Sequence, residues 1–487
     1  MKSFEYIGLE VISACLKKAG YETKMIFDPM LFSDVYMNIP ILSRHFDATQ
    51  AIIRQAQEYK PDFILFSMSS DDVIWVKEKA RQLKQATGAI IVAGGVHPTA
   101  VPERVVKYKY FDYVVSGEGE ETVPELLSAL VQGKPVDGIK GVYHLLNGQI
   151  KGEENRSLLQ DLDVFPPPDK DLFYSTAPWA KHEYSIVISR GCPHRCTYCH
   201  NNYLRGKWDG QGKYIRTRSV SHVIGELAQS KRIYNFSTLN IWDDNLFALK
   251  DYSNDFFTEY AEKIKVPFKM FLHPSLVNND TAKILANANC WRVEVGVQTI
   301  DPNGRKICGR TETDEMITNA IRILKNHGIK VSVSIITGLP YESQSQLYTM
   351  AHFFAETKPD RILAFLLRYY PKTDILEIGM KAGIISERDR ELIEEGEYVA
   401  SFTSRRDIQD KTFKRVRGLL MISNHLSPGF IDWMESLGAE KWLPDLSSTI
   451  QTLDQVKGFL QPHNDLARLY RKRYFYYLLG QGRNVLK

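Results

Sequence analysis

The stretch Ser189-Arg-Gly-Cys-Pro-His-Arg-Cys-Thr-Tyr-Cys-His200 places three of the chain's six cysteines within eight residues. Cys192, Cys196 and Cys199 form the spacing C-x3-C-x2-C. Four-iron, four-sulfur clusters are held by cysteine thiolates, usually one for each iron. Three nearby thiolates therefore predict a cluster with one iron left open for a substrate or cofactor, which favours catalysis over simple electron transfer. The stretch follows the apolar segment 184–188, so we expect the cysteines on a loop at the carboxyl end of a buried strand.

Two alternatives to a cluster stay open for the three cysteines. A structural zinc site would need a fourth ligand, which His194 or His200 could supply, although such sites more often use two separated cysteine pairs. The three thiols could also be free residues that meet by chance. The remaining cysteines, Cys15, Cys290 and Cys308, are scattered, so a disulfide framework is not expected.

Composition limits the classes of protein to which this chain can belong. Its 487 residues are enough for two or three domains, and 44% hydrophobic with 25% charged residues are ordinary values for a globular protein. A net charge of +4, from 62 basic and 58 acidic side chains, does not favour nucleic acid or an anionic membrane as the main partner. The sequence shows no transmembrane segment and no signal-peptide pattern, so we expect a cytoplasmic protein.

Residues 1–135 alternate helix and strand patterns, which predicts a doubly wound parallel α/β sheet with helices on both faces. Helices are predicted at 10–19, 46–58, 73–85 and 121–131, and strands at 23–27, 62–67, 89–93 and 110–116. Glycines follow two of the strand ends, where they let the backbone approach a ligand, at Gly94, Gly95, Gly117 and Gly119. The first helix starts almost at once, so the central first strand of such a sheet is missing from the pattern.

Three further regions complete the predicted organisation. Residues 136–178 form a linker that contains a hairpin at 141–150. Residues 179–385 contain about six strand–helix units, consistent with a partial parallel barrel. Its strands are predicted at 185–188, 239–242, 268–272, 293–297, 331–336 and 362–366. Residues 386–487 form a helical C-terminal region, in which we expect the basic and aromatic run 468–479 to be a helix packed on the barrel rather than a nucleic-acid or lipid contact.

The cysteine motif and the segments after it resemble the radical S-adenosylmethionine (SAM) family. The matching segments follow the family's order, at 192–199, 241–247, 294–299, 308–311 and 334–342. In that family the open iron binds the amino and carboxylate groups of SAM, and an electron from the cluster cleaves SAM to a 5′-deoxyadenosyl radical. The resemblance implies a (β/α)6 radical SAM barrel with SAM contacts from Tyr198, Asp243, Asp244, Glu294, Gln298, Arg310, Ser334, Ile336 and Gly338.

The resemblance gives these residues different roles. Asp243 and Asp244 would accept hydrogen bonds from the amino group of SAM, although one of them could instead cap the next helix. Glu294 or Gln298 would reach the ribose or carboxylate of SAM, or the substrate. Arg310 would bind the carboxylate of SAM, or else lie on the surface. The adenine side would comprise Tyr198, Ser334, Ile336 and Gly338, with Glu342 holding that loop in place.

Residues 1–135 resemble the cobalamin-binding domain that often precedes radical SAM domains. The matching stretches are 7–21, 93–100 and 115–121. The resemblance implies cobalamin contacts from the strand-end loops, namely Ser67, Ser69, Gly94, Gly95, His97, Gly117, Glu118 and Gly119. No D-x-H-x-x-G motif is present, so a bound cobalamin should lose its own base without gaining a histidine ligand. We therefore expect His97 to be a hydrogen-bonding loop residue.

These resemblances predict a cobalamin-dependent radical SAM enzyme that methylates an unactivated carbon of a small molecule or natural product. Its cofactors would be a 4Fe-4S cluster, SAM and cobalamin, its electron donor a flavodoxin or ferredoxin, and no general base is identifiable. Radical cyclisation, rearrangement or oxidation of a small molecule is the first alternative, and a non-catalytic corrinoid or SAM sensor is the second. A tRNA methylthiotransferase is disfavoured, because it would need a second cysteine triad in the N-terminal half, which holds only Cys15.

Overall fold

The computed structural model describes residues 5–32, 39–397, 411–441, 472–473 and 476–477. Two large sheets organise the chain, one of five strands in the N-terminal part and one of six strands in the middle, and helices follow the second sheet. The predicted α/β class is therefore confirmed. Within the described ranges, none of the helices combines the length and the apolar character needed to cross a bilayer.

The N-terminal sheet joins three parallel strands to an antiparallel hairpin. Its elements are α1 (Ile7–Lys18), α2 (Pro40–His45), α3 (Thr49–Tyr59), β1 (Phe63–Ser67), α4 (Val73–Thr87), β2 (Ile90–Gly94), α5 (Val96–Ala100), α6 (Pro102–Val105), β3 (Tyr113–Val115), α7 (Gly119–Val131), β4 (Val142–Leu146) and β5 (Gln149–Gly152). The order is β1-β2-β3-β4-β5, with β1 to β3 parallel and the two later pairs antiparallel. The hairpin predicted at 141–150 thus extends this sheet.

The segment 23–27 is not a strand, so that prediction was wrong. Its apolar residues serve core packing instead of strand pairing. Phe27 is buried and packs edge-on against Phe173, with ring centroids 5.7 Å apart. The segment ends in three apolar residues, Met25 to Phe27, and such a short run has the same composition in a strand and in a loop that packs on the core.

The second sheet is entirely parallel, as expected for a partial barrel. Its region contains α8 (Lys170–Tyr174), β6 (Glu183–Ile186), β7 (Ser189–Arg190), α9 (His200–Lys207), β8 (Arg216–Thr217), α10 (Val220–Tyr234), β9 (Thr238–Ile241), α11 (Lys250–Lys263), β10 (Phe268–Leu272), α12 (Asn279–Asn287), β11 (Cys290–Gln298), α13 (Pro302–Cys308), α14 (Asp314–Asn326), β12 (Lys330–Thr337), α15 (Gln344–Thr357) and β13 (Arg361–Leu366). The order β13-β12-β11-β10-β9-β6 uses the six predicted strands. Their carboxyl ends therefore meet at one edge of the sheet.

β11 shows how this sheet presents polar groups to its inner face. Val293, Val295 and Val297 are fully buried on the side that the helices cover. Glu294 and Gln298 are only partly buried and project to the other side, because successive strand residues face opposite ways. The alternation separates the apolar core from the polar interior of the barrel.

Helices follow β13, in agreement with the predicted C-terminal region. They are α16 (Asp374–Lys381), α17 (Glu387–Glu394), α18 (Lys411–Ile422) and α19 (Pro428–Ser436). α18 packs on β13 and α15, and α19 also packs on α15. Most of the run 468–479 lies outside the described residues, but its four described positions are helical. Arg473 and Tyr477, which are four residues apart and share a helix face, are both buried.

Candidate active site

The cysteine loop starts on a short ribbon just beyond β6. Ser189 and Arg190 form β7, which pairs with β8. Asp243, which follows β9, accepts hydrogen bonds on both carboxylate oxygens, from the N–H of Ile188 at 2.9 Å, from the N–H of Ser189 at 2.5 Å and from the Ser189 hydroxyl. Burial raises the pKa of Asp243 to about 6, against the effect of these hydrogen bonds. The Asp243 carboxylate thus fastens the start of the cysteine loop to β9.

Asp244 has a different environment from its neighbour. The residue is exposed, and its Oδ2 accepts a hydrogen bond from Asn201 Nδ2 at 2.8 Å. The surrounding protein atoms of the cleft raise the pKa of this carboxyl, although solvent still reaches it. Its charge also contributes to raising the pKa of Cys192 and Cys199, so Asp244 lies close to the cysteines. Of the two aspartates, Asp243 accepts hydrogen bonds from backbone N–H groups, whereas Asp244 lies near the cysteines and accepts only a side-chain hydrogen bond.

The three thiols lie close enough to affect one another electrostatically. Burial raises the pKa of Cys199 to about 11, and the negative charges of Asp244, Cys196 and Cys192 add to the effect. A bound cationic centre would lower the pKa of these thiols instead, because the thiolate is the form that binds metal. In the described part of the chain, no three His, Cys, Asp or Glu side chains converge where they could hold one metal ion.

The residues at the end of α13 support the cysteine loop. The N–H of Thr197 donates to the Cys308 carbonyl at 3.1 Å, and its hydroxyl donates to the Ile307 carbonyl at 2.7 Å. Gly309 has a φ of +65°, and a Cβ there would lie 2.7 Å from the Arg195 carbonyl oxygen. Only glycine fits this contact without a shift of the backbone. The sequence 308–310 is therefore packed directly against the cluster motif.

Arg310 lies inside the site rather than on the surface. Its Nη1 is 3.9 Å from Cys196 Sγ, its Nη2 donates to the Gly296 carbonyl, and its Nε donates to Glu312 Oε1 at 2.5 Å. Burial would raise the pKa of Glu312, but the hydrogen bond with His273 and the charge of Arg310 outweigh it and lower that pKa to about 2. An ionised Glu312 thus holds the guanidinium beside the cysteines.

The sequence interpretation missed a polar group next to this arginine. His194 and His273 stack with ring centroids 4.1 Å apart and planes at 13°, and His194 Nε2 lies 2.8 Å from Asn245 Nδ2. Burial, helped by the neighbouring His273 and Arg310, lowers the pKa of His194 to about 4, so this ring is neutral at pH 7. Asn245 follows β9 and His273 follows β10 directly, and that position after a predicted strand was the available signal.

Glu294 and Ser334 meet on the inner face of the sheet. The Ser334 hydroxyl donates to Glu294 Oε1 across the β11–β12 pair. Gln298 follows on the same strand, has a φ of +66° and stands where the pairing with β12 changes register. These three predicted residues therefore line one polar side of the interior, towards the strand carboxyl ends.

Tyr198 and Ile336 form an apolar side of the same site. Ile336 belongs to a buried hydrophobic cluster, and Tyr198, the tyrosine before the last cysteine, packs against that cluster. Gly338 follows β12, and its N–H donates to Glu342 Oε2 at 2.5 Å. Burial raises the pKa of Glu342 to about 8, although the backbone hydrogen bonds oppose the rise. The structure agrees with the expectation that Glu342 holds this loop.

The loops after β1 and β2 lie together at one edge of the N-terminal sheet. Ser67 pairs with Gly94 at the last position of the two strands. The Ser69 hydroxyl donates to Asp72 Oδ2 at 2.6 Å, which ties the β1 loop to the start of α4. These predicted cobalamin contacts are thus adjacent in space.

Two of the predicted cobalamin-site glycines make close contacts within the protein, and one of them, Gly95, is required by its contact with backbone atoms. Gly95 has a φ of +105°, and a Cβ there would lie 2.7 Å from the backbone N and O of Met68. Gly119 begins α7, and a Cβ there would lie 3.0 Å from Ile12 Cδ1 of α1. The packing of loop on loop and helix on helix explains these glycines without reference to a ligand.

His97 is enclosed between the strand-end loops. The residue has no exposed surface, and its Nδ1 lies 2.9 Å from the Ser70 hydroxyl. Burial and the neighbouring His200 lower the pKa of His97 to about 4, which keeps the ring neutral. This environment suits a hydrogen-bonding loop residue, which is the role that the sequence predicted.

The loop after β3 faces the second domain. A Cβ on Gly117 would lie 3.0 Å from Trp208 Cζ2. Glu118 Oε1 forms ion pairs with Arg190 Nη1 at 3.0 Å and with Arg216 Nη2 at 2.7 Å. Because Arg190 stands two residues before the first cysteine, this predicted cobalamin loop is tied to the segment that leads into the cluster motif.

α9 connects the two predicted cofactor sites. The helix begins at His200, directly after Cys199, and ends at Lys207, whose Nζ donates to the Thr99 carbonyl at 2.8 Å. Eight helical residues span about 12 Å. The last cysteine and Thr99 of α5, the short helix that follows β2, are therefore held at opposite ends of α9.

Comparisons with known proteins agree with this arrangement. The radical SAM superfamily model matches residues 186–354, and the B12 binding domain model matches residues 3–127. A structure of the radical SAM methyltransferase TsrM from Kitasatospora setae, with cobalamin and a [4Fe-4S] cluster bound, shares 19% identity and a TM-score of 0.62, covering 78% of this chain and 76% of that one. OxsB, a cobalamin-dependent SAM radical enzyme with aqua-cobalamin bound, shares 15% identity and a TM-score of 0.66, covering 98% and 82%. An uncharacterized methyltransferase of Pyrococcus horikoshii is 25% identical over 346 residues, which are 69% of this chain and 72% of the relative.

The fold and the cysteine site define a radical SAM enzyme. More narrowly, the chain is one of the radical SAM proteins that carry an N-terminal B12-binding domain. The predicted family is thereby confirmed. The three predicted cofactors, a 4Fe-4S cluster, SAM and cobalamin, are confirmed at the level of the domains that serve them.

Proposed function

We propose that this enzyme is a cobalamin-dependent methyltransferase that acts on an unactivated carbon of a small molecule or natural product. The observation that carries the proposal is the connection through α9, which joins the cysteine motif to Thr99 of α5, the short helix that follows β2. Methylation by two cofactors requires both to face one substrate in a fixed geometry. The names of the relatives from Kitasatospora setae and Pyrococcus horikoshii support transfer of a methyl group.

The residues around the three cysteines fit a 4Fe-4S cluster with SAM beside it. When bound, the cluster supplies the electron that splits SAM into methionine and a 5′-deoxyadenosyl radical, and cobalamin supplies the methyl group. Cys192, Cys196 and Cys199 would hold the cluster. The exposed carboxylate of Asp244 would accept hydrogen bonds from the SAM amino group, and Arg310 would pair its Nη1 with the SAM carboxylate. Asp243 would act through the loop that it fastens.

The remaining contacts divide into a polar and an apolar side. Glu294, Ser334 and Gln298 would bind ribose hydroxyls or substrate from the inner face of the sheet. Tyr198 and Ile336 would enclose the adenine ring in an apolar setting, since Tyr198 packs against the hydrophobic cluster that contains Ile336. The site therefore offers ionic contacts to the methionine part of SAM and apolar contacts to the nucleobase.

The N-terminal loops would bind cobalamin mainly through backbone and hydroxyl groups. Ser67 and Ser69 stand at the end of β1, and Gly94 stands beside them on β2. His97 is enclosed, so the loops offer no imidazole of that residue to cobalt. We propose a cytoplasmic enzyme with a flavodoxin or ferredoxin as electron donor, because the cluster needs a one-electron reductant and protection from oxygen.

Two products test the proposal before the substrate is known. The protein is reconstituted anaerobically with iron, sulfide and hydroxocobalamin, reduced, and given SAM that carries a deuterated methyl group. We expect 5′-deoxyadenosine only when the cluster is present, and S-adenosylhomocysteine only when cobalamin is present. With a cell extract, deuterium should enter one metabolite. Formation of 5′-deoxyadenosine without S-adenosylhomocysteine would sink methylation and leave cyclisation, rearrangement or oxidation, whereas formation of neither product would indicate a sensor.

A further inference from the structure

The inner face of the six-stranded sheet carries an aromatic pair outside the proposed SAM contacts. Trp242 directly follows β9, and its ring lies against that of Phe271 on β10, with centroids 5.5 Å apart. The indole N–H donates to the Ser185 hydroxyl of β6 at 3.3 Å, which fixes the indole on the inner face. Leu239 and Ile241, on the face that the helices cover, are buried, whereas Trp242 is 44% exposed. Trp242 and Phe271 therefore form an accessible aromatic platform in the barrel interior.

The aromatic platform lies below the cysteine loop and beside a proposed SAM contact. Phe271 pairs in register with Glu294 on β11. It also stands two residues before His273, whose ring stacks on His194 of the cysteine motif. Two strand residues span about 7 Å. A molecule on the platform would thus lie inside the barrel, under the place where SAM would be cleaved.

Two cationic side chains lie one row deeper in the barrel than the aromatic platform. Lys269 on β10 and Arg292 on β11 pair in register with each other. Lys269 Nζ lies 5.9 Å from the centroid of the Trp242 ring, so the charge is close to the platform. Like charges on directly paired strand residues repel each other, and an anion bound between them would offset this repulsion.

The charged residues of the six strands give the barrel interior an excess of positive charge. The strands contain four basic side chains and two acidic ones, namely Lys269, Arg292, Lys330 and Arg361 against Glu183 and Glu294. All six alternate with the residues that pack under the helices, so they share the inner face. An interior of this charge attracts anionic ligands.

A buried amide lies in the same row as the two cations. Asn240 on β9 pairs with Lys269 on one side and with Ser185 on the other. It is only 4% exposed, and no described residue donates a hydrogen bond to its Oδ1. A buried polar oxygen without a donor is costly, so an N–H or O–H group of a ligand would stabilise the site by donating to Asn240.

We propose that the aromatic platform and the Lys269–Arg292 pair form the substrate subsite of this enzyme, and that the substrate is a planar aromatic molecule with a carboxylate. The aromatic ring would stack on Trp242, and the carboxylate would pair with Lys269 and Arg292. A hydrogen-bond donor of the substrate would reach Asn240. This substrate class rests on the proposed function, because the substrate is the molecule that receives the methyl group.

The test measures binding of 2-naphthoate by calorimetry to the anaerobically reconstituted full chain, with saturating SAM and no reductant. The matched probes are the neutral 2-naphthamide and the saturated decahydro-2-naphthoate. We expect each to bind roughly tenfold more weakly than 2-naphthoate, because the first lacks the charge and the second lacks the flat ring. Equal affinity for all three probes, or no binding of 2-naphthoate, would overturn the substrate class. Loss of 2-naphthoate binding when SAM is added would overturn a subsite separate from that of SAM.

Matched variants assign the contacts. Trp242→Leu should weaken binding of 2-naphthoate roughly tenfold, and Lys269→Met should reduce the preference for 2-naphthoate over 2-naphthamide several-fold. Trp433→Leu, which changes an exposed tryptophan of α19, is the control and should bind like wild type. Iron content and the unfolding midpoint show whether each variant keeps its cluster and fold, and Phe271→Leu replaces Trp242→Leu if that variant does not. Wild-type affinity and preference in the subsite variants would overturn the subsite.

The two proposals fail in different ways. No SAM is cleaved in these titrations, so probe binding does not depend on methyl transfer. Selective binding of 2-naphthoate by a protein that forms no S-adenosylhomocysteine would sink methylation and leave the subsite. Formation of S-adenosylhomocysteine by a protein that does not distinguish the three probes would sink the subsite and leave methylation.

Discussion

The two large sheets present their predicted cofactor contacts by different means. In the six-stranded sheet the contacts are side chains of single residues, such as Asp244 after β9, Glu294 on β11 and Arg310 after α13. In the N-terminal sheet the edge is made of tightly packed loops. Gly95 touches the Met68 backbone, and His97 is wholly enclosed.

This difference predicts how each site responds to substitution. A site made of charged side chains should lose its ligand when one group is removed, since each group makes a separate contact. A site made of backbone loops should tolerate loss of a side chain, because the backbone groups stay in place. Substitutions in the two sites test that contrast.

Cys196→Ala should abolish the cluster and all cleavage of SAM. A cubane held by three thiolates within one loop loses a third of its protein ligands with this change. Iron and sulfide content and the visible charge-transfer absorption of the anaerobically reconstituted protein report the loss. Cys15→Ala is the matched control, because Cys15 is buried on α1 far from the motif in sequence. A full cluster in the Cys196 variant would contradict the ligand assignment.

Asp244→Ala and Asp243→Ala should separate SAM binding from support of the loop. Removal of the Asp244 carboxylate should weaken SAM binding roughly tenfold or more with the cluster intact, as expected for one hydrogen bond to a charged group. Loss of Asp243 strips the cysteine loop of two backbone hydrogen bonds and should lower cluster occupancy and stability, by about 3 kcal/mol. SAM titration of each reconstituted variant, with iron content measured in parallel, distinguishes a loss of SAM binding from a loss of the cluster. Equal SAM affinity in wild type and Asp244→Ala would show that this carboxylate only holds Asn201.

Glu342→Gln should flatten the pH dependence of unfolding. The folded pKa of Glu342 is about 8, above its ordinary value, so the protonated carboxyl stabilises the fold fully below about pH 4.5. Between pH 6 and 8 the free energy of unfolding should therefore fall by about 1 kcal/mol per pH unit, and the contribution of Glu342 is lost above its folded pKa. Denaturant unfolding across this range should show the slope in wild type and in the exposed control Glu262→Gln, but not in Glu342→Gln. An identical slope in all three proteins would remove Glu342 as its source.

His97→Ala should leave the cobalt spectrum almost unchanged. Protein loaded with hydroxocobalamin should show a corrinoid spectrum of the base-off type before and after the substitution, because the enclosed ring makes its contact with Ser70. The loss of that contact should appear only as a modest fall in stability. A shift of the spectrum on substitution would show that His97 ligates cobalt, and would break the contrast between the two sites.

The sequence predicts the parts of the molecule that depend on local patterns. The six strands of the second sheet are predictable from apolar runs. The cysteine loop, and the hydrogen bond by which Glu342 stabilises the loop after β12, involve residues that are close in sequence. The contact of His194 with His273 and the tie from Asp243 to Ser189 could not be predicted in this way. Their partners come from different strand ends, so only the folded sheet brings them together.

The differences between prediction and structure have the same physical origin. The segment 23–27 has the composition of a strand, but pairing depends on a neighbour that the local sequence does not specify. The hairpin of β4 and β5 is predictable as a hairpin, yet its addition to the N-terminal sheet depends on β3. Gly95 and Gly119 stand where a ligand could approach the backbone, whereas their close contacts are with Met68 and Ile12.

The eight residues of α9 help to set the distance between the two predicted cofactor sites. An α-helix of this length is stiff, so its residue count fixes the spacing between the last cysteine and Thr99 of α5 along this connection, alongside the ion pairs of Glu118 with Arg190 and Arg216. One inserted residue would lengthen the spacer by about 1.5 Å and rotate its far end by about 100°. Such an insertion should leave both cofactors bound and yet uncouple their reactions, which a ratio of 5′-deoxyadenosine to methylated product would reveal.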